Sequence, residues 1–352
     1  MKKHRDYEKF FHPLHDHSIQ QPEEENRAPN IEDYLQQMHE TVDKLQADRA
    51  NRGDVKLLSV ALRELRYCFK VFASLRERRQ VTVFGSARLP EDDPSYQQAV
   101  EFSRRIADAG FMVITGGGNG IMEAGHVGAG RENSIGLNIL LPFEQHANAV
   151  IRDDPKLMHL RYFFTRKLLF VKECEAVALF PGGFGTLDEG FEVLTLVQTG
   201  KSHLFPIVMV DAPGSDYWRH FQRFTEGVLL ARKLISPSDL SLFKVTDSVD
   251  EAVDEIVNFY RVYHSMRYVK GDLVLRLTRE ISPATLERIR AEFADIVRGG
   301  TFELTEALPQ ESEETALADL PRLKFRFDRH QLGRLRELID VLNQDELESE
   351  PK

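Results

Sequence analysis

The hexapeptide PGGFGT, residues 181–186, places three glycines and a proline between an apolar run and a stretch with helical spacing. Glycine lets the backbone approach a ligand closely, and the first turn of a helix offers unpaired N–H groups and a positive dipole end. That combination binds anions such as phosphate. Two other apolar runs end in Gly85-Ser86 and in the three glycines of residues 116–118. Three such ends favour a phosphate-containing ligand over three unrelated tight turns.

Elements that would position these glycines alternate along residues 79–264. Short apolar runs separated by helical stretches read VTVFGS, FMVITGGG, SIGLNILLP, EAVALFPGG, LFPIVMVD and FKVTD. This alternation is typical of an α/β fold, a Rossmann-like parallel sheet with helices on both faces. Ligands of such sheets bind outside the carboxyl ends of the strands, which is where the glycines lie.

The flanking segments differ from this central domain. Residues 1–30 are polar and predict a flexible arm, whose four histidines match no compact metal-ligand set. Residues 31–78 predict a helical N-terminal extension. Residues 265–352 predict a small α+β domain with the order β-α-β-β-α, similar to part of a ferredoxin-like fold. The role of that domain cannot be read from its sequence.

Two familiar phosphate motifs fail on this chain. The pattern GxGxxG needs a third glycine where Ile121 or Glu123 stands. Gly200-Lys201-Ser202 resembles the end of a P-loop, but Thr195 occupies the position of its first glycine. The sequence therefore supports neither a dinucleotide-dependent dehydrogenase nor a P-loop ATPase.

Composition narrows the class of protein further. The formal net charge of -10 argues against nonspecific binding to nucleic acid or to an anionic membrane. Cys68 and Cys174 are too few for a disulfide framework, and we expect both to be buried thiols. The N-terminus lacks the apolar segment of a signal peptide, and no run approaches the length of a membrane span. We therefore expect a cytoplasmic protein.

Three stretches together resemble the signature of the Lonely Guy (LOG) family, once labelled lysine decarboxylases: GGGNGIMEAG, the Arg166-Lys167 pair and PGGFGTLDE. The resemblance covers roughly residues 80–262. It implies hydrolysis of the N-glycosidic bond of nucleoside 5′-monophosphates to a free base and ribose 5-phosphate. It also implies a homodimer or a higher homo-oligomer, and the chemistry calls for neither a metal nor an organic cofactor.

The resemblance also implies roles for individual residues. Arg166 and Glu189 match the catalytic pair, with the carboxylate stabilising an oxocarbenium-like state and activating water. The remaining expected contacts bind the nucleotide: Gly85, Ser86, Gly118, Asn119, Lys167, Gly182, Gly183, Gly185 and Thr186. The amides around residues 183–186 and the Thr186 hydroxyl are expected to hold the 5′-phosphate.

One departure bears on the substrate. Plant-type members carry Met-His ahead of the Arg-Lys pair, where residues 163–165 read Phe-Phe-Thr. This difference argues against cytokinin specificity rather than against hydrolysis, so AMP-like purine nucleotides are the first candidates. Two alternatives stay open: a nucleotide-binding sensor without hydrolysis, and a pyridoxal-phosphate decarboxylase using Lys167 or Lys201 as its Schiff-base lysine.

Overall fold

The computed structural model of the chain describes residues 31–140, 147–312 and 314–345. The predicted arm, residues 1–30 with its four histidines, lies outside these ranges. Within them, no helix is long and apolar enough to cross a membrane. The described chain forms two compact units: a central unit of residues 48–260 and 330–340, and a second unit of residues 31–47, 261–329 and 341–345.

The central unit is built on a seven-stranded sheet whose neighbouring strands are all parallel. Its strands are β1 (Gln80–Phe84), β2 (Met112–Thr115), β3 (Ser134–Ile139), β4 (Leu157–Leu160), β5 (Ala176–Leu179), β6 (Ile207–Val210) and β7 (Lys244–Thr246). The predicted α/β fold is confirmed. Strand β4 is the one that the apolar pattern misses, because its LMHL run is short and His159 on it is exposed.

Every residue of β1, β2, β3, β5 and β6 is buried, so helices cover both faces of the sheet. The helices of this unit include α2 (Arg52–Ala73), α3 (Pro94–Asp108), α4 (Ile121–Ala129), α5 (Phe163–Lys172), α6 (Phe184–Gln198), α7 (Tyr217–Phe224) and α8 (Val249–Phe259). Apolar faces of α3, α4 and α8 share one core with the sheet. Cys68 and Cys174 are buried free thiols, as predicted.

The strands lie in the order β4-β3-β2-β1-β5-β6-β7. The chain runs outward in one direction from β1 to β4 and in the other direction from β5 to β7. The direction therefore reverses between β1 and β5, which leaves a crevice beyond their carboxyl ends. The glycine-rich residues 85–86 and 182–183 follow these two strands.

The second unit contains a four-stranded antiparallel sheet in the order β10-β11-β9-β8. Its elements are α1 (Glu32–Ala47), β8 (Tyr263–Val269), β9 (Asp272–Leu277), α9 (Pro283–Glu292), β10 (Glu303–Thr305) and β11 (Arg322–Phe325). A last helix, α10 (Leu332–Asn343), has residues in both units. Strand β8 is absent from the predicted β-α-β-β-α order. The turn Lys270-Gly271, with φ of 50° and 89°, instead joins β8 to β9 as a hairpin.

Candidate active site

A cavity of about 820 Å³ lies at the crevice between the loops that follow β1 and β5. The Ser86 amide donates to the Pro181 carbonyl at 3.0 Å, which ties the two loops together. The cavity wall is formed by residues from these loops, from the glycine turn after β2, from strands β1 and β3 and from helices α4, α5 and α6. Its members are Phe84, Gly85, Ser86, Ala87, Arg88, Gly116, Met122, Ile139, Phe163, Arg166, Phe170, Gly182, Gly183, Phe184, Gly185, Thr186, Leu187 and Glu189.

The structure brings most of the expected site residues to this wall. Eight of them line the cavity: Gly85, Ser86, Arg166, Gly182, Gly183, Gly185, Thr186 and Glu189. The other three, Gly118, Asn119 and Lys167, do not line it. Asn119 is exposed elsewhere, and the Gly118 carbonyl accepts a hydrogen bond from the Asn148 side chain at 2.9 Å.

The glycine turn after β2 is held by a buried polar network. His126 is fully buried, and its Nε2 lies 3.0 Å from the Thr115 hydroxyl. That hydroxyl accepts the Gly117 amide at 2.9 Å. Burial lowers the pKa of His126 to about 4, so its ring is neutral at physiological pH. The turn is therefore fixed by its own polar side chains, and of its glycines only Gly116 reaches the cavity.

Helix α6 begins at the floor of the cavity without a side-chain cap. Gly183 is its N-cap residue, and its first turn contains no acidic side chain. The amides of Phe184 and Gly185 have no partner within the helix, because the first turn of any α-helix leaves its N–H groups unpaired. The site therefore offers free donors and a positive dipole end to an anion.

The glycines of PGGFGT serve two different purposes. A Cβ at Gly182 would lie 2.1 Å from the Thr186 hydroxyl oxygen, so this position requires glycine for packing. A Cβ at Gly183 or Gly185 would meet nothing within 4 Å. These two glycines therefore leave open space directly over the helix N-terminus, where a ligand group can approach the amides.

Arg166 projects from α5 into the cavity. Its Nε is buried and has no hydrogen-bond partner, and no described carboxylate forms an ion pair with its guanidinium. The group lies over the rings of Phe163 and Phe170, at 4.9 and 5.6 Å from their centroids. Burial lowers the pKa of Arg166, although the charges of Glu189 and Asp188 oppose this effect. A guanidinium nevertheless stays protonated, so this cation is available to an incoming anion.

Glu189 lies on α6, one turn after Thr186, and its residue is only 5% exposed. Burial raises the pKa of its carboxyl group, whereas Lys167 and Arg166 lower it and Asp188 raises it. Its Oε2 lies 3.0 Å from the ammonium of Lys167. The carboxylate and the guanidinium of Arg166 thus lie on one cavity wall with opposite charges, a combination suited to acid–base chemistry on an anionic substrate.

Sequence reasoning misses two features of this cavity. Arg88, directly after the Gly85-Ser86 turn, lines the wall and makes no ion pair with any described residue. Its position next to a glycine turn is the signal that could have identified it. Four aromatic side chains also line the cavity, and Phe184, within PGGFGT, is 93% exposed. An exposed aromatic ring at the mouth suits a flat apolar ligand group such as a base.

A parallel sheet with a cavity at the point where the strand order reverses defines a Rossmann-like α/β fold with a candidate ligand site at that point. Residues 107–256 match the family model described as possible lysine decarboxylase. The chain is 29% identical over 162 residues to the cytokinin riboside 5′-monophosphate phosphoribohydrolase of Mycobacterium tuberculosis, covering 44% of this chain and 81% of that protein. Through its central domain, this chain is similar to the LOG family.

Further relatives extend this similarity. A cytokinin riboside 5′-monophosphate phosphoribohydrolase of Arabidopsis thaliana is 26% identical over 202 residues, covering 53% of this chain and 90% of that protein. Among solved structures, the molybdenum cofactor carrier protein of Chlamydomonas reinhardtii is 21% identical with a TM-score of 0.33, covering 50% of this chain and 94% of that one. A TM-score at this level supports no functional inference.

Proposed function

We propose that this chain hydrolyses the N-glycosidic bond of nucleoside 5′-monophosphates, with AMP-like purine nucleotides as the first candidates. The observation that carries the proposal is that Arg166, which forms no ion pair with a described residue, lies on the same cavity wall as the buried Glu189, beside an uncapped helix N-terminus. The names of its relatives, which are nucleotide phosphoribohydrolases, support the same reaction class.

The phosphate fits the positive end of the cavity. The amides of Phe184 and Gly185, the Thr186 hydroxyl and the guanidinium of Arg88 would hold it. The base would occupy the aromatic part of the wall, which includes Phe163 and Phe184. This pose leaves the sugar between the two ends.

Glu189 would carry out the central step. Its carboxylate takes a proton from water as the water oxygen bonds to C1′ of the ribose, while the bond between C1′ and the base nitrogen breaks with its electron pair on the base. The negative charge of Glu189 stabilises the oxocarbenium-like transition state. The proton passes on to the departing base, so the products are the free base and ribose 5-phosphate. Arg166 would stabilise negative charge on the phosphate or on the leaving base.

A substrate panel tests the activity. Purified protein is incubated with AMP, GMP, CMP, UMP and a cytokinin riboside 5′-monophosphate, and the free bases are separated by chromatography. We expect release of adenine at the highest rate. Failure to release a base from any of the five would refute the proposed activity.

The variant Glu189→Gln separates an enzyme from a nucleotide sensor. Loss of a general base should lower kcat by about 10²–10⁴-fold, while AMP affinity, measured by calorimetry, should change by less than about threefold. Glu101→Gln is the matched control, because Glu101 lies on α3, pairs with Arg104 and does not line the cavity. A sensor would instead bind AMP and show no turnover in the wild type.

The decarboxylase alternative is poorly supported by its candidate lysines. A Schiff-base lysine must lose its proton to attack a carbonyl carbon. Burial lowers the pKa of Lys167, but its contacts with Glu192, Asp188 and Glu189 outweigh burial and raise it. Lys201 is exposed and does not line the cavity. Neither lysine is therefore prepared for that chemistry.

A further inference from the structure

Lys167 contacts three carboxylates on the first half of α6. Its Nζ lies 3.0 Å from Asp188 Oδ2, 3.0 Å from Glu189 Oε2 and 2.9 Å from Glu192 Oε2. An ammonium group has three N–H donors and no acceptor. The three carboxylate oxygens therefore use its whole donor capacity, and a substrate could bind Lys167 only by displacing one of them.

We propose that Lys167 is a positioning residue, which holds the Glu189 carboxylate in place as the base of the hydrolysis instead of contacting substrate. The inference rests on the proposed function, since it assigns Glu189 the role of base. It replaces the expectation that Lys167 binds the nucleotide, because Lys167 lies off the cavity wall while Glu189 lies on it.

Lys167 anchors only one of the two carboxylate oxygens of Glu189. Lys167 bonds to Oε2 of the carboxylate, and no described residue donates to the other oxygen, Oε1. One oxygen is thus fixed by an ammonium that is itself held by Asp188 and Glu192. The second oxygen remains free to accept a proton from water or a hydrogen bond from the sugar.

The charges around Glu189 explain why a second cation is needed. The groups that face it are the cations Lys167 and Arg166 and the neighbouring carboxylate of Asp188. An anionic substrate bound to Arg166 would compensate the charge of that guanidinium. Lys167 would then be the remaining cation beside Glu189, whose side chain is 6% exposed. Its charge would favour the ionised form of that carboxyl group.

The pH dependence of kcat for AMP hydrolysis distinguishes a positioning role of Lys167 from substrate binding and from a purely structural role. An opposite charge within about 4–6 Å lowers a carboxyl pKa by about 1–3 pH units. In Lys167→Met, the acidic limb of the kcat profile should therefore move to higher pH by at least about one pH unit. KM should stay within about threefold of wild type. Lys167→Arg should retain the wild-type limb, because it keeps the charge.

Lys172→Met is the matched control, since Lys172 lies on the same helix and pairs with Glu173 at 2.5 Å. This substitution should leave the acidic limb of the kcat profile at its wild-type pH. An increase in KM of about tenfold with an unmoved limb would make Lys167 a substrate contact and overturn the inference. A uniform fall in kcat together with a lower melting temperature would make it purely structural, which also overturns it.

A second variant keeps the inference testable if Lys167→Met does not fold. Asp188→Asn with Glu192→Gln leaves Lys167 to Glu189 alone and removes the nearby negative charge. The acidic limb should then move to lower pH, and an unchanged limb contradicts the inference. Wild-type turnover in the same assay reports separately on the proposed function. If the wild type shows no turnover, the proposed activity is wrong. If it shows turnover but the acidic limb does not move in the variants, only the proposed role of Lys167 is wrong.

Discussion

Arginine charges are compensated differently in the second unit and at the cavity of the central unit. In the second unit, Arg322 is fully buried and pairs with Glu311 at 3.2 Å, while donating to the Leu317 carbonyl at 2.8 Å. Arg276 binds the same carboxylate at 2.7 Å. At the cavity, Arg166 is half-buried, and its buried Nε has no hydrogen-bond partner among the described residues.

This difference separates a structural charge from a functional one. A buried charge that is paired and hydrogen-bonded belongs to the folded structure, and removing its partner is strongly destabilising. A cation without an anion in a cavity is costly to keep, and a ligand that supplies the anion would offset that cost. Arg322 and Arg166 therefore predict opposite outcomes for the same substitution.

The largest effect is expected from Arg322→Met. It leaves the Glu311 carboxylate, which is 2% exposed, with only part of its compensation. Breaking a buried pair costs about 3–5 kcal/mol. We expect the opening free energy of β11, measured by native-state hydrogen exchange, to fall by that amount while AMP turnover stays at the wild-type level.

Arg298→Met is the control for this measurement. Arg298 pairs with Asp328 at 2.9 Å, but its side chain is 58% exposed. Exposed pairs contribute about 0–1 kcal/mol. If Arg322→Met lowered the stability of β11 no more than this control does, the buried network would not be structural.

Arg166→Met should show the reverse pattern. We expect kcat/KM for AMP to fall by about 10²-fold, equivalent to about 2.7 kcal/mol of transition-state stabilisation. The melting temperature should not fall, because methionine keeps the apolar contact with Phe163 and Phe170 and removes an uncompensated charge. A melting temperature that falls with activity unchanged would place Arg166 among the structural arginines.

The sequence predicts the fold of the central unit better than it predicts the side-chain contacts of the candidate site. Apolar runs identify β1, β2, β3 and β5 to β7, since strands buried on both faces carry continuous hydrophobic residues. The glycine turns locate the cavity, because parallel strands bring their carboxyl ends to one edge. Local pattern alone is sufficient for both conclusions.

Side-chain partners are not predictable in the same way. The adjacent residues Arg166 and Lys167 look alike in sequence, yet one lines the cavity and the other contacts three carboxylates of α6. Only the direction of each side chain on α5 relative to α6 decides this. Strand β8 is missed because its sequence, YHSMRYV, is largely polar and does not alternate regularly between apolar and polar residues.

The smallest expected effect is on the pH dependence of stability. Asp345 in the second unit and Glu189 in the central unit should contribute to it with opposite signs. Burial raises the pKa of Asp345, but hydrogen bonds from Thr285, Arg279 and Ser282 outweigh it and lower the pKa to about 2. The ordinary value in the unfolded chain is about 3.9. Asp345 therefore contributes stability above about pH 4 that is lost as the pH falls toward 2, amounting to about 2 kcal/mol.

Glu189 has the opposite sign, because the folded state raises its pKa. Its ionised form costs stability at neutral pH, and protonation on acidification relieves that cost. Urea unfolding at pH 7, followed by circular dichroism, should therefore show a loss of about 2 kcal/mol for Asp345→Asn. Glu189→Gln should show no loss. A similar loss in both variants would mean that Glu189 is held as a structural anion like Asp345, and the contrast between these two acids would be wrong.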